Sequence, residues 1–240
     1  MIQRIQDEHL SREINSTFQK SIFAQHISQL KKVLHQDIYL YGGFVRDVLV
    51  RHYQTSRIET CDLDILVDES QEKLLTPKFL NMHLTSMGSP RWKPTSDICI
   101  DIVPFSRSTK ILTGDNKEIT IENAIESTHI TTSAIAFDVR RGIVYDGGCR
   151  DAIHSRTVEI LYEKGTDHSR LAVYLLGHSE KLGFNLGNHA KMFLHKNYSE
   201  QFEQQVLECA SKRGLGSQRE KMKKMLKEVY DEINNSGGRS

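Results

Sequence analysis

Two aspartates one residue apart, Asp62 and Asp64, stand inside the apolar run "CDLDILVDES". The alternation of a strand puts both on one face and Leu63 and Ile65 on the other. Carboxylates that close repel each other unless they share a cation, so the spacing suits a divalent metal bound by oxygen alone, Mg²⁺ or Mn²⁺. A solvated strand face is the alternative. A third carboxylate favours the metal. In "DICIDIVPF" the same alternation groups Asp97, Cys99 and Asp101 on one face, so Asp101 can stand beside the pair on a neighbouring strand. Asp97 is the other candidate, at the start of that strand.

Upstream, "YLYGGFVRDVLV" places Gly42 and Gly43 between an apolar run and what reads as a helix start. Glycines there let backbone come close to a ligand while free N–H groups point outward, an arrangement that suits phosphate. Arg46 could add a charge-assisted contact. A plain turn before a helix is the alternative. Three acidic groups on adjacent strands beside a glycine cradle are what two-metal phosphoryl or nucleotidyl transfer needs.

The elements that must carry these residues follow from periodicity. Leu10, Ile14, Phe18, Ile22, Phe23, Ile27, Leu30, Val33 and Leu34 recur near 3.6 residues, predicting one helix or two over residues 9 to 35. "DIYLYGG" predicts a strand, and "FVRDVLVRHY" a helix with Val45, Val48 and Leu49 on one face. "CDLDILVD" and "DICIDIVPF" predict strands, with a helix and then a turn at Gly88 to Pro90 between them. "TTSAIAFDVRRGIVYDGG" predicts two strands around Arg141 and Gly142. After about residue 160 strand signals stop, and "HSRLAVYLLGHSEKLGF", "YSEQFEQQVLECASKRG" and "SQREKMKKMLKEVYDEINN" are helical in period. The expected layout is α+β: an N-terminal helical segment over residues 1–35, a mixed-sheet domain flanked by helices over 36–160, a small helical region over 161–234 and a disordered tail over 235–240.

The chain of 240 residues can bury a substantial core. Its 32 basic against 31 acidic side chains exclude a strong overall field, so nucleic-acid affinity would have to come from local basic clusters. Cys61, Cys99, Cys149 and Cys209 are scattered without a CxxC or Cys/His ligand pattern, which predicts reduced thiols and no structural zinc among them. The N-terminus lacks an apolar targeting core and no window is long and apolar enough to span a bilayer, so a cytoplasmic protein with no membrane partner is expected.

"GGFVRD", then "DLD", then "IDIVPF" resembles the head of the polymerase β-like nucleotidyltransferases, most closely bacterial poly(A) polymerases and CCA-adding tRNA nucleotidyltransferases of class II. The likeness covers roughly residues 38 to 105. It continues more weakly through "TTSAIAFDVRRGIVYDGGCRDAIHSRTVEIL", and "DHSRLAVYLLGHSEKLGFNL" is similar to the first helix of the family's neck. The resemblance implies a head domain followed by a neck-like helical region. It implies that Asp62 and Asp64 bind two Mg²⁺ ions and that Asp101 holds the one that activates an acceptor hydroxyl for in-line attack on the α-phosphate of an NTP. Gly42 and Gly43 would hold the triphosphate and pyrophosphate would leave, with Arg46 touching phosphate and Asp47 fixing the loop. Where the family has RRDFTxNA this chain aligns "STHITTSA", which puts Ser127, Thr128, His129 and Ser133 at nucleotide-binding positions and makes His129 a candidate phosphate or nucleotide ligand, with a surface or core histidine as the alternative. The chain ends where the family's helical body would begin, so an ordinary CCA-adding enzyme is not expected. The expected acceptors are an RNA 3′ end of tRNA-like kind or, alternatively, a protein or small molecule; a third reading is a degenerate head that binds nucleotide or RNA without catalysis.

Two further features carry less. Trp92 in "RWKP" could stack on a base, although a Trp near a turn more often packs. The basic run "KRGLGSQREKMKKMLK" could touch an RNA backbone or simply be a solvated helix face.

Overall fold

A computed structural model describes residues 2–34, 37–54, 62–68, 82–85, 88–116 and 118–237. They form two compact units: Met1–Thr128 with Thr132–Ile153, and His129–Thr131 with His154–Ser240.

The first unit is built on a mixed sheet. Strands β1 (Gln3–Ile5), β2 (Ile38–Tyr41), β3 (Asp62–Val67), β4 (His83–Leu84), β5 (Pro90–Trp92), β6 (Cys99–Pro104), β7 (Ile135–Asp138) and β8 (Ile143–Asp146) run in the spatial order β1-β8-β7-β2-β3-β6-β5-β4. Only β3 and β6 pair in parallel; every other ladder of this sheet is antiparallel. Helix α3 (Gly43–Gln54) packs on β2, β3 and β7. Its residues Phe44 to Val50 are all buried, so the single apolar face read from Val45, Val48 and Leu49 is wrapped on every side. Helices α1 (Glu8–Gln19) and α2 (Ala24–Leu34) lie on the same unit, with Phe18 and Phe23 both edge-on to Phe44 at 6.1 and 6.3 Å between ring centroids. Edge-to-face pairs of this kind add to the burial of their rings.

On the opposite sheet face Tyr39, Leu66, Ala136 and Tyr145 form a second core with Ile121, Ala124 and Ile125 from the helix Ile121–Glu126. Thr120 caps that helix by accepting from the Asn123 N–H at 3.2 Å.

The N-terminal residues were expected as a separate helical segment. Instead Gln3–Ile5 add a strand to the sheet edge against β8, and α1 and α2 belong to the first unit. A polar three-residue edge strand carries no periodic signal, and its ladder is specified by its partner. The helix expected before Gly88 lies largely in residues outside those described. Within them, His83–Leu84 and Pro90–Trp92 pair as an antiparallel hairpin, and Gly88 takes a left-handed φ of 76° in the turn.

The second unit begins nearer residue 154 than 161. Its helix His168–Leu182 is capped by Asp167 at one end and by left-handed Gly183 at the other. Helices Asn188–Asn197, Glu200–Lys212 and Arg219–Gly237 follow, the last running through part of the expected disordered tail. Strand signals do not stop at residue 160: Asn185–Leu186 pair in parallel with Thr157–Val158. Two-residue strands are too short to show a period. Among the described residues no helix is long and apolar enough to cross a membrane, and Cys99, Cys149 and Cys209 are free thiols. Cys61 lies outside the described residues.

Candidate active site

The carboxylates sit where one file of the sheet changes character. Along β3, Leu66 belongs to the apolar core beneath the helix Ile121–Glu126, and two residues earlier on the same face stands Asp64, then Asp62. The parallel register sets Leu66 beside Val103, Asp64 beside Asp101 and Asp62 beside Cys99. The face is therefore apolar under the helix and acidic beyond it. On the other side of β3, Tyr41 faces Asp64 across the antiparallel ladder, and its hydroxyl lies 2.5 Å from Thr128 Oγ1. The period-2 reading of both strands holds: Leu63, Ile65, Ile100 and Ile102 are buried while Asp62, Asp64 and Asp101 retain exposure. Asp97 lies outside β6 and is exposed, accepting from the Ser96 hydroxyl at 3.0 Å.

Burial, reinforced by the charges of Asp101 and Asp62, pushes the Asp64 carboxyl up from 3.8 to about 7, against the opposing pull of Arg91 and Arg46. Of the three acids on this sheet face, Asp64 is the one whose charge the surroundings penalise most clearly.

The glycine turn adjoins these acids. Gly42 takes φ 59°, a left-handed conformation that a residue with a Cβ enters only at a cost. Its N–H donates to the Ile135 carbonyl at 2.9 Å and its carbonyl accepts from the Arg46 N–H at 3.0 Å, closing the first turn of α3. A Cβ on Gly42 would stand 3.9 Å from Asp64 Oδ2 and 3.7 Å from the Ser133 carbonyl oxygen. The turn backbone thus approaches the acidic site to ordinary contact distance.

Arg46 and Asp47 are internal supports. Both side chains are buried, and Arg46 donates through Nε to Asp47 Oδ1 at 2.7 Å, with Nη2 at 2.6 Å from the same oxygen. A Cβ on Gly43 would lie 3.6 Å from Arg46 Nη2, so the guanidinium sits close behind the glycine pair. Arg46 and Asp47 thus pair with each other inside the fold, directly behind the glycine turn. His129 lies in the second unit, where its Nδ1 is 2.8 Å from the Tyr162 carbonyl and its ring is near-parallel to those of Tyr162 and Tyr174. Burial pushes its imidazole below the ordinary histidine value, which disfavours the charged form.

The sequence reading missed Arg91. It was noted only as a flank of Trp92, yet on β5 it stands directly opposite Asp101 and grips that carboxylate with both arms of its guanidinium. The signal available was its place between two residues that the structure buries, Pro90 and Trp92, which is the half-buried alternation of a strand. Trp92 itself packs, edge-on to His26 at 5.8 Å, and offers no stacking platform.

No protein-family model and no curated protein matches this chain. Solved structures do. A CCA-adding enzyme with ATP superposes with a TM-score of 0.57 at 14% identity over 87% of this chain and 50% of its own. A CCA-adding enzyme with CTP superposes with a TM-score of 0.57 at 16% identity over 90% and 56%. The Thermotoga maritima CCA-adding enzyme complexed with tRNA gives 0.56 at 16% identity over 86% and 50%. The chain shares its fold with these CCA-adding enzymes. It spans about half the length of the solved structures it matches. Within that fold, the motifs that suggested the resemblance, "GGFVRD", "DLD" and "IDIVPF", fall on the turn into α3, on β3 and on β6.

Proposed function

We propose that this protein is a metal-dependent nucleotidyltransferase that moves a nucleoside monophosphate from an NTP to a hydroxyl acceptor, an RNA 3′ end, releasing pyrophosphate. The observation that carries the reading is the register of Asp64 beside Asp101, with Asp62 on the same face and the Gly42 backbone against Asp64. The donors are all carboxylate oxygens, two on one strand and one on its parallel neighbour, and they fit Mg²⁺ or Mn²⁺. Asp62 and Asp64 would hold the metal, with Asp101 as the third ligand. When bound, it supplies charge neutralisation on the phosphates and lowers the pKa of the attacking hydroxyl.

The chain's own residues account for the rest. Asp64, neutral or ionised near pH 7 without a cation, is the group whose charge the site must stabilise. The Gly42 backbone lies against the acids, and the phosphate would be received by the N–H groups at the start of α3. The buried Arg46–Asp47 pair holds the turn in place. Relatives of the same fold are described with ATP, CTP and tRNA, which supports an NTP and a tRNA-like RNA as partners.

A second reading is favoured by one observation. The bidentate hold of Arg91 on Asp101 already neutralises the third carboxylate, as a nucleotide-binding protein without transfer would tolerate.

The deciding experiment incubates the protein with Mg²⁺, each α-labelled NTP and total cellular RNA, beside Asp62→Ala/Asp64→Ala. Label in a discrete RNA band, absent with the double variant, supports RNA nucleotidyl transfer. Label on protein or a small molecule overturns the RNA acceptor. Nucleotide binding with no label anywhere favours the second reading.

A further inference from the structure

Among the described residues, the tightest set of metal-ligating side chains is not the aspartate site. His9 and Glu13 lie one turn apart on α1, so both project from the same helix face, and His52 comes from the last turn of α3. One ligand atom from each falls within 4.8 Å of the other two. His52 Nδ1 is 2.5 Å from Glu13 Oε2, and the His9 ring is tilted toward that of His52 at 5.5 Å between centroids. The pair alone explains Glu13 and His52 as a partly buried contact between helices. It leaves His9 unexplained, because its imidazole comes within reach of both groups and bonds to neither.

We propose that His9, Glu13 and His52 form a site for a borderline divalent transition metal, with Zn²⁺ as the best fit. Two imidazoles and one carboxylate suit Zn²⁺, Co²⁺ or Ni²⁺, whereas Mg²⁺ prefers oxygen donors throughout, so this site and the aspartates select different ions. Three protein ligands leave a fourth position for water. Binding draws His9 into the cluster beside His52 and Glu13.

The consequence is mechanical. His52 lies nine residues beyond Gly43 on one helix, roughly 13 Å along its axis, so the metal pins the far end of the helix whose beginning forms the phosphate cradle. It does so across the α1–α3 contact that Phe18 and Phe44 already fill. Occupancy therefore stiffens α3 without touching the aspartates.

The test uses the full chain stripped with EDTA. Titration with Co²⁺ should produce visible d–d absorption saturating at one equivalent, displaced by Zn²⁺, and Zn²⁺ should raise Tm by several degrees. In His9→Ala both effects should fall at least tenfold in affinity while the metal-free Tm stays unchanged, since His9 is exposed. In Asp62→Ala/Asp64→Ala both should persist. The proposal is overturned by no Co²⁺ spectrum, by an undiminished one in His9→Ala, or by one lost only in the aspartate variant. His52→Gln, which keeps a polar group beside Glu13, guards against reading loss of the helix contact as loss of a ligand.

Discussion

Arg91 Nε and Nη2 lie 2.5 and 2.6 Å from the two carboxylate oxygens of Asp101, a fork-on-fork pair across the β5–β6 ladder. The guanidinium therefore engages both oxygens of the carboxylate proposed as the third metal ligand. A metal bound at the proposed site would share that carboxylate with Arg91.

Removing Arg91 from that shared carboxylate should be measurable. Arg91→Gln is expected to lower the Mg²⁺ concentration for half-maximal transfer by about three- to tenfold, the equivalent of about 1 kcal/mol for a partly exposed bidentate pair. A metal titration of activity, or of nucleotide binding if transfer is absent, checks it. An increased metal requirement would show instead that Arg91 organises the site.

Stability should depend on pH through Asp64. In the unfolded chain this carboxyl ionises near 3.8, whereas in the metal-free fold it ionises near 7. The folded state therefore binds the proton more tightly, and stability from this group is full below about pH 4, declines as pH rises to about 7, and stays low above it. Asp64→Asn removes the charge and should raise the metal-free Tm at pH 8 by a few degrees, on the order of 5 °C, with little change at pH 4. Thermal melts at both pH values in EDTA decide it, and an equal shift at the two would refute the ionisation account.

Gly42→Ala tests the cradle. The φ of 59° makes any side chain strained, at roughly 1–2 kcal/mol, while the 3.7 and 3.9 Å contacts leave the new methyl room to exist. The variant should fold with a modestly lower denaturation midpoint and bind NTP at least tenfold more weakly, because the methyl sits beside Asp64. Unchanged NTP affinity, with the expected loss of stability, would move the phosphate elsewhere.

The buried Arg46–Asp47 pair should behave asymmetrically. Asp47→Ala leaves a guanidinium in the interior short of its main counter-charge and is expected to cost about 3–5 kcal/mol. Replacing both residues, Arg46→Met with Asp47→Leu, should cost less than Asp47→Ala alone. Urea denaturation of the three proteins compares the values, and a double variant worse than the single one would assign the pair a role beyond mutual neutralisation.

What the sequence by itself determined is the local order around the chemistry: strand, glycine turn, helix, and two strands whose acids alternate with buried aliphatics. These are short-range facts, set by a period of two or 3.6 and by the conformational freedom of glycine. The face on which Asp62, Asp64 and Asp101 stand was legible for the same reason. The tertiary structure alone decided which strand lies beside which, and therefore that Asp101 rather than Asp97 meets Asp64. It alone set Arg91 opposite Asp101, buried Arg46 against Asp47, recruited Gln3–Ile5 to the sheet edge, and brought His52 to His9 and Glu13 across 39 residues between His52 and Glu13. Register and helix packing depend on partners distant in sequence, and no local period encodes them.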